Sequence, residues 1–166
     1  MKSSIIFITG MSGSGKSTVL KELASKGYTT IDTDIEGYCS YGYDERYQEY
    51  GWLWKEDKIN VVVNNHQEGV LLIAGTVSNQ GKFYSYFDEI IYLSAPLSVL
   101  LARVQRRTNN RYGQTDEEKK TIQADFEQFD AMIKTSATTV IDATKSLDKV
   151  VKEVESIIAS TRLKEK

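Results

Sequence analysis

Apolar residues in this chain follow two kinds of pattern. Five short runs are rich in β-branched and aromatic residues with little alternation, which is typical of strands buried on both faces of a parallel sheet. They cover residues 3–9, 28–32, 70–74, 89–94 and 138–142. Helical spacing of apolar residues occupies 16–26, 55–67, 96–108, 116–135 and 147–158. Each connection is long enough to cross over, so the pattern predicts a three-layer α/β fold with a five-stranded parallel sheet.

The segment between the second strand and the second helix is irregular and dense in aromatic residues. These are Tyr38, Tyr41, Tyr43, Tyr47, Tyr50, Trp52 and Trp54. Tyr43, Tyr47 and Tyr50 would share one face of a helix. Such a stripe more often packs a small helical subdomain, although it can also form a pocket for a ring. We therefore expect a helical insert over about residues 35–66.

A glycine-rich loop joins the first strand to the first helix. It consists of Gly10, Met11, Ser12, Gly13, Ser14, Gly15, Lys16, Ser17 and Thr18, and it matches G-x-x-x-x-G-K-[ST]. Its backbone N–H groups can face phosphate oxygens, Lys16 can reach the β- and γ-phosphates, and the Ser17 hydroxyl can bind Mg²⁺. A plain Gly/Ser-rich turn is the alternative, which the flanking strand and helix disfavour. The loop predicts binding of a nucleoside triphosphate.

Two carboxylates follow the second strand. Asp32 and Asp34 are two residues apart, so extended backbone would put both on one side. Phosphoryl transfer needs Mg²⁺ and a group that orients or deprotonates the acceptor hydroxyl, and carboxylates serve both needs. We assign Asp32 to the metal and Asp34 to the acceptor. A polar turn after a strand is the alternative interpretation.

Two motifs of other nucleotide-binding proteins are missing from the sequence. A motor or remodelling ATPase would carry an acid at the end of the third strand, where Gly75 and Thr76 stand. A GTPase would carry an N-K-x-D tetrapeptide, which does not occur. Both absences favour a small kinase.

Arginines crowd the end of the third helix and the turn beyond it. They are Arg103, Arg106, Arg107 and Arg111. We interpret them as a lid that closes on the triphosphate, with a solvated helix end as the alternative. Asn79 and Gln80 follow the third strand, at the sheet edge where α/β proteins bind ligands, so their amides are candidate substrate ligands, although a plain loop is nearly as consistent.

Composition narrows the partners of this 166-residue chain. Its net charge of −2 disfavours nucleic acid as a partner. Cys39 is the single cysteine, so no intrachain disulfide can form, and no stretch approaches the roughly 20 apolar residues of a membrane span. We expect a cytoplasmic protein without membrane contact, a monomer or weak dimer, with a frayed tail over 161–166.

The loop, the two aspartates and the arginine-rich helix together resemble the P-loop nucleoside and shikimate kinase group. The chain is most similar to bacterial shikimate-kinase-like ATP-binding proteins that carry a Gly-x-x-Ser-Asn-Gln-Gly segment, here Gly75–Gly81, and an Arg-Thr-Asn-Asn lid, here Arg107–Asn110. The resemblance implies a sheet order of 2-3-1-4-5 and Mg-ATP as donor. It also implies contacts of Arg103 with adenine and of Arg107 with phosphates, and a loop around Asp142 and Thr144 that borders the adenine.

The same resemblance has a limit on the acceptor side. Shikimate kinases show a Gly-Gly-Gly run after the third strand and an arginine pair for the substrate carboxylate. Here Gly75 is followed by Thr76 and Val77, and Arg46 is the main arginine in the acceptor region. Shikimate itself is therefore disfavoured, and Arg46 and Gly75 remain candidate acceptor-binding residues.

These observations lead to one expected organisation. Residues 1–166 form a single P-loop kinase-like domain, in which the insert over 35–66 binds the acceptor and a lid spans about 104–118. The expected function is transfer of the γ-phosphate of Mg-ATP to a small metabolite, with Lys16, Asp34 and Arg107 as catalytic residues. A nucleotide-binding regulator with little transferase activity and a kinase acting on nucleic acid ends are the alternatives.

Overall fold

The computed structural model describes residues 2–35 and 37–164. In chain order its elements are β1 (Ser3–Thr9), α1 (Lys16–Ser25), β2 (Thr29–Asp32), β3 (Cys39–Asp44), β4 (Glu49–Trp54), α2 (Glu56–Asn65), β5 (Gly69–Ala74), a 3₁₀ segment (Gln80–Tyr86), β6 (Glu89–Ser94), α3 (Leu97–Arg106), α4 (Asp116–Ser136), β7 (Thr139–Asp142) and α5 (Leu147–Lys164).

The central sheet has five parallel strands in the order β2-β5-β1-β6-β7. Counting only these strands along the chain, the order is 2-3-1-4-5, as predicted. β1 lies in the middle and pairs with β5 from Ser3↔Gly69 to Ile8↔Ala74. Because all five strands run the same way, the segments after β1, β2 and β5 meet at one edge of the sheet, where open α/β sheets bind ligands.

The strands lack alternation because each face of the sheet has its own core. Ile6 and Ile8 of β1 pack with residues of α1 and α5, such as Leu23 and Val154. The intervening Phe7 faces the other core, where its ring lies 4.9 Å from Phe87 and 5.2 Å from Trp54 between centroids. A strand buried on both sides gains from apolar residues at every position.

The prediction of helix between Tyr38 and Trp54 is wrong. β3 and β4 form an antiparallel hairpin with pairs from Cys39↔Trp54 to Asp44↔Glu49. The aromatic residues at 41, 43, 50 and 52 recur at the two-residue period of a strand, and Gly42 faces Gly51 across the hairpin. Among residues 35 and 37–66 of the expected helical insert, only α2 is helical.

The end of the chain is more regular than expected. The helix α5 continues through Thr161 to Lys164, whereas the remaining part of the predicted frayed tail, Glu165 and Lys166, lies outside the described residues. None of the helices in the described part of the chain combines the length and hydrophobicity that a bilayer-spanning helix needs.

Candidate active site

The glycine-rich loop wraps closely around the start of α1. Gly13 and Gly15 have φ angles of 87° and 95°, which residues other than glycine rarely adopt. A Cβ at Gly13 would lie 2.6 Å from the carbonyl oxygen of Leu100, so α3 packs directly against the loop. By contrast, the space around Gly15 is open, with no other heavy atom within 4 Å of a Cβ built there. The loop is therefore closed toward α3 and open in front of α1.

Lys16 is buried at the base of the loop. Its Nζ donates to the carbonyl oxygens of Gly10 at 2.5 Å and Met11 at 3.3 Å. The pKa of Lys16 is lowered, mainly by burial. Asp34 and, to a smaller extent, Asp32 raise this pKa, whereas Arg107 lowers it further. The Lys16 ammonium therefore lies among charges of both signs, with Asp34 and Asp32 negative and Arg107 positive.

The two aspartates after β2 lie beside this lysine. Asp32 accepts the backbone N–H of Asp34 at 3.1 Å, which fixes a tight turn. Exclusion of water from the Asp34 carboxylate raises its pKa; Lys16 lowers it, Asp32 raises it and Arg107 lowers it. Asp34 nonetheless keeps an exposed surface, so its carboxylate sits at a cleft wall rather than in the core.

Arg107 ends α3 and points into the same site. Its Nη2 donates to the carbonyl oxygen of Tyr112 at 2.7 Å, while its Nε is buried without a partner. Burial lowers the pKa of Arg107, whereas Tyr112, Asp34 and Glu118 raise it. The segment from Arg107 to the start of α4 ends in a capping box between Thr115 and Glu118.

Arg103 connects the glycine-rich loop with the segment after β7. Its Nη1 lies 3.5 Å from the carbonyl oxygen of Gly13, and its Nη2 donates to that of Ala143 at 2.6 Å. Next to it, Asp142 accepts the backbone N–H and the hydroxyl of Thr144 at 2.9 and 2.6 Å. The side chains of Asp142 and Thr144 thus stabilise their own turn, which leaves main-chain groups to border a ligand.

Two candidate substrate residues have a different role in the structure. The Asn79 side chain accepts from the Trp54 backbone N–H at 2.8 Å and donates to the Trp54 carbonyl at 3.0 Å. The Gln80 side chain accepts from Val77 N–H and donates to the Tyr84 hydroxyl at 2.8 Å. Both residues are buried, so the expectation that these amides face a substrate is replaced by one of structural support.

Arg46 and Gly75 also hold the hairpin in place. The guanidinium of Arg46 donates to the Ser78 carbonyl at 3.0 Å and lies 3.8 Å from an Asp44 oxygen. A Cβ at Gly75 would lie 2.1 Å from the hydroxyl oxygen of Thr33. Gly75 is therefore required by close packing, and the charge of Arg46 is engaged by the hairpin turn.

The sequence places the chain in a known family. The model of the AAA domain family matches residues 6–124, well over half of the chain. The chain belongs to this AAA domain family. A shikimate kinase of Chlorobium chlorochromatii is 29% identical over 134 residues, which cover 75% of this chain and 70% of that enzyme. Together with the fold, this makes the chain a shikimate-kinase-like P-loop small-molecule kinase.

Solved structures share the same fold. A shikimate kinase from Acinetobacter baumannii, in complex with shikimate, has a TM-score of 0.64 at 21% identity, covering 96% of this chain and 95% of that one. A gluconokinase from Sinorhizobium meliloti has a TM-score of 0.62 at 19% identity, covering 95% and 92%. A deoxyadenosine kinase from M. mycoides with bound dATP has 0.58 at 17%, covering 93% and 99%.

Membership of this P-loop kinase family implies use of ATP, and the loop fits a triphosphate. The Ser14 hydroxyl is buried without a hydrogen-bond partner, and the open side of Gly15 lies where the first N–H groups of α1 point outward. For Mg²⁺, Ser17 is exposed and Asp32 is only half-buried. In residues 2–35 and 37–164, no cluster of three or more His, Cys, Asp or Glu forms a metal cage. A site with few protein ligands suits Mg²⁺, which is held largely by phosphates and water.

Sequence reasoning missed the threonines of this P-loop site. Thr76 donates its hydroxyl to the Gly10 carbonyl, which also accepts from Lys16, and it lies 3.2 Å from the Thr9 hydroxyl. Thr33 donates to the Ala74 carbonyl and accepts from the Trp54 indole at 2.9 Å. The sequence signal for Thr76 is its position after β5, at the sheet edge where other P-loop proteins carry an acidic residue.

Proposed function

We propose that this kinase transfers the γ-phosphate of Mg-ATP to a hydroxyl group of a small metabolite. One observation carries the proposal: the sheet register places Asp32 opposite Ala74 and Ala74 opposite Ile8, so the segment after β2 lies beside the glycine-rich loop. The charges of Asp32, Asp34 and Arg107, which come from two other parts of the chain, all act there on the Lys16 ammonium. Two cations and two carboxylates at the mouth of a phosphate-binding loop are the groups that phosphoryl transfer needs.

The phosphate-binding half would hold the donor. Gly10–Thr18 would surround the phosphates with backbone N–H groups, and Lys16 would move from the Gly10 and Met11 carbonyls to phosphate oxygens. Ser17 and Asp32 would hold Mg²⁺, which when bound neutralises charge on the triphosphate. Arg103, beside Gly13 and Ala143, would border the adenine together with the main chain around Asp142 and Thr144.

Asp34 would prepare the acceptor. Asp34 is exposed beside Lys16 and its carboxyl has a raised pKa, so it can accept a hydroxyl proton as the oxygen attacks phosphorus. Its hydrogen-bonding capacity would also orient that oxygen in line with the leaving group. Arg107 would stabilise the charge on the transferred group, since its Nε is buried without a partner near Asp34 and Lys16.

The variant Asp34→Asn tests this assignment. It keeps the size of the side chain and removes the proton acceptor, so we expect ATP-dependent acceptor phosphorylation to fall about a thousandfold or more. Affinity for Mg-ATP, measured by calorimetry, should change little because Lys16, Ser17 and Asp32 remain. The matched control is Asp57→Asn, an exposed acid at the start of α2.

The outcome also separates the kinase from a nucleotide-binding regulator. Mass spectrometry of a panel of sugars, cyclitol acids and nucleosides should detect a phosphorylated product with the parent protein and not with the variant. Tight ATP binding without any phosphorylated product would favour the regulator. Equal turnover of Asp34→Asn and the parent would remove Asp34 from the mechanism.

A further inference from the structure

One face of the β3–β4 hairpin carries an uncovered group of aromatic rings. Tyr41, Tyr43, Tyr50 and Trp52 are 63%, 49%, 66% and 59% exposed, and we name them the aromatic face. Tyr41 lies opposite Trp52 and Tyr43 opposite Tyr50, so the four side chains share one side of the hairpin. The ring centroid of Tyr50 lies 5.3 Å from that of Tyr43 and 6.2 Å from that of Tyr41.

The base of the hairpin lies beside the two aspartates of the site. At the base of the same side of the hairpin, the Cys39 thiol donates to the Thr33 carbonyl at 3.2 Å and the Trp54 indole donates to the Thr33 hydroxyl at 2.9 Å. Thr33 stands between Asp32 and Asp34, and both carboxylates act on the Cys39 thiol. Tyr41 and Trp52 form the second pair beyond Cys39 and Trp54, about 7 Å further along at the rise of a strand.

The hairpin is held at its base and at its turn, so the aromatic face has a fixed position beside the segment of Thr33 and Asp34. Between these ends, Ser78 N–H donates to the main-chain carbonyl of Trp52 at 3.2 Å. At the turn, the Tyr47 ring lies 5.3 Å from that of Phe129 in α4, and Gln128 donates to Glu49 at 3.3 Å. A wall anchored in this way offers its rings to a ligand with little loss of side-chain entropy.

The polar groups near this wall are engaged by the protein itself. The amides of Asn79 and Gln80 bind Trp54, Val77 and Tyr84, and the Arg46 guanidinium binds Asp44 and Ser78. The four residues of the aromatic face are uncharged, and Lys55 acts on Cys39 at the base of the same side of the hairpin. What this side of the cleft offers is ring surface, which suits stacking more than hydrogen bonding to several hydroxyls.

We infer that the aromatic face stacks a planar, uncharged aromatic ring of the phosphoryl acceptor, whose hydroxyl then lies toward Asp34. This inference rests on the proposed phosphotransfer function and names the class of its acceptor: an uncharged compound with an aromatic ring and a free hydroxyl, as in a nucleoside. Sugar acids and cyclitol acids lack the flat ring and carry a charge that this wall does not match.

A fluorescence titration tests the stacking without turnover. The two tryptophans of the chain are Trp52 and the buried Trp54, so emission reports on the hairpin. The protein is first saturated with Mg²⁺ and a non-hydrolysable ATP analogue, which fills the donor site. Uridine and adenosine should then quench the emission, whereas shikimate, gluconate and glucose should not. Quenching by an acid or by glucose alone would overturn the inference.

Steady-state kinetics with matched variants test the position of the ring. With a nucleoside that the parent protein phosphorylates as the acceptor, Trp52→Ala should raise the KM for that nucleoside roughly tenfold or more with kcat little changed. Trp52→Phe should retain most of the affinity. Tyr86→Leu, an exposed tyrosine of the 3₁₀ segment, is the control. An unchanged KM in Trp52→Ala contradicts the inference.

The two proposals fail separately. If shikimate or gluconate is phosphorylated and Trp52→Ala has no effect, the chain is a kinase and the aromatic face is not its acceptor wall. If nucleosides bind by calorimetry, Trp52→Ala abolishes that binding and no phosphorylated product forms, the aromatic face binds rings and the phosphotransfer proposal is wrong.

Discussion

The donor side and the acceptor side of the cleft are built in opposite ways. The donor side is a contiguous loop that presents main-chain groups to the ligand and leaves the Ser14 hydroxyl buried without a partner. On the acceptor side, the amide of Asn79 and the guanidinium of Arg46 turn away and hold the hairpin, so that aromatic rings remain. Under the proposed function, phosphate recognition would depend mainly on backbone geometry, and acceptor recognition on side chains that can be exchanged.

Loss of the donor-side cation should have the largest effect. We expect Lys16→Ala to lower turnover about a thousandfold with every acceptor, because the buried ammonium would contact the transferred phosphate in each reaction. Initial rates of ADP formation with several acceptors provide the measurement. Lys21→Ala on the exposed side of α1 is the control, and an effect of Lys16→Ala that depends on the acceptor would contradict the division into two sides.

The next largest effect is expected for a substitution that adds a methyl group at Gly75, below the hairpin. Gly75→Ala would place a Cβ 2.1 Å from the Thr33 hydroxyl and force Thr33 away from the Trp54 indole. We expect a loss of about 3 kcal/mol in the free energy of unfolding, from overpacking and a broken buried hydrogen bond. Urea denaturation measures it. Gly51→Ala has only Ser78 Oγ at 3.9 Å from its new Cβ and should be close to neutral.

Truncation of the buried amide tests its structural role. Asn79→Ala would leave the Trp54 N–H and carbonyl without their side-chain partners, so we expect a loss of about 2 kcal/mol in the free energy of unfolding. The affinity for ATP should be unchanged. Thermal denaturation and ATP titration give the two numbers, with the exposed Asn64→Ala as control. Full stability with lost acceptor binding would return Asn79 to a substrate role.

The smallest effect concerns the thiol at the boundary between the two sides. Burial raises the pKa of Cys39 to about 11, and Asp34 and Asp32 contribute. The raised pKa keeps the thiol protonated as pH increases, so the reactive thiolate forms only on approach to pH 11. With the higher nucleophilicity of such a thiolate included, alkylation by iodoacetamide at pH 8 should be roughly twentyfold slower than in the urea-unfolded chain. A rate that levels off near pH 9 would contradict this environment.

The two sides also differ in how far their sequence predicts them. Gly10–Thr18 is a local motif, and the strand-like pattern around it predicted a parallel sheet. The central place of the strand before it was implied by the resemblance to P-loop kinases. The hairpin was not predicted because Tyr43, Tyr47 and Tyr50 also fit a helical period, and the pairing that decides the matter joins Gly42 to Gly51 across the turn. The role of Asn79 was hidden for the same reason, since its partner Trp54 is 25 residues away.

Three of the hydrogen bonds that fasten the hairpin end on main-chain atoms. Asn79 binds the N–H and carbonyl of Trp54, and Ser78 N–H binds the carbonyl of Trp52. Main-chain atoms are the same whatever side chain a position carries. During evolution, the outward residues at positions 41, 43, 50 and 52 are therefore free to change without loosening the hairpin. Under the proposed function, such a lineage would acquire new acceptors while its glycine-rich loop stays unchanged.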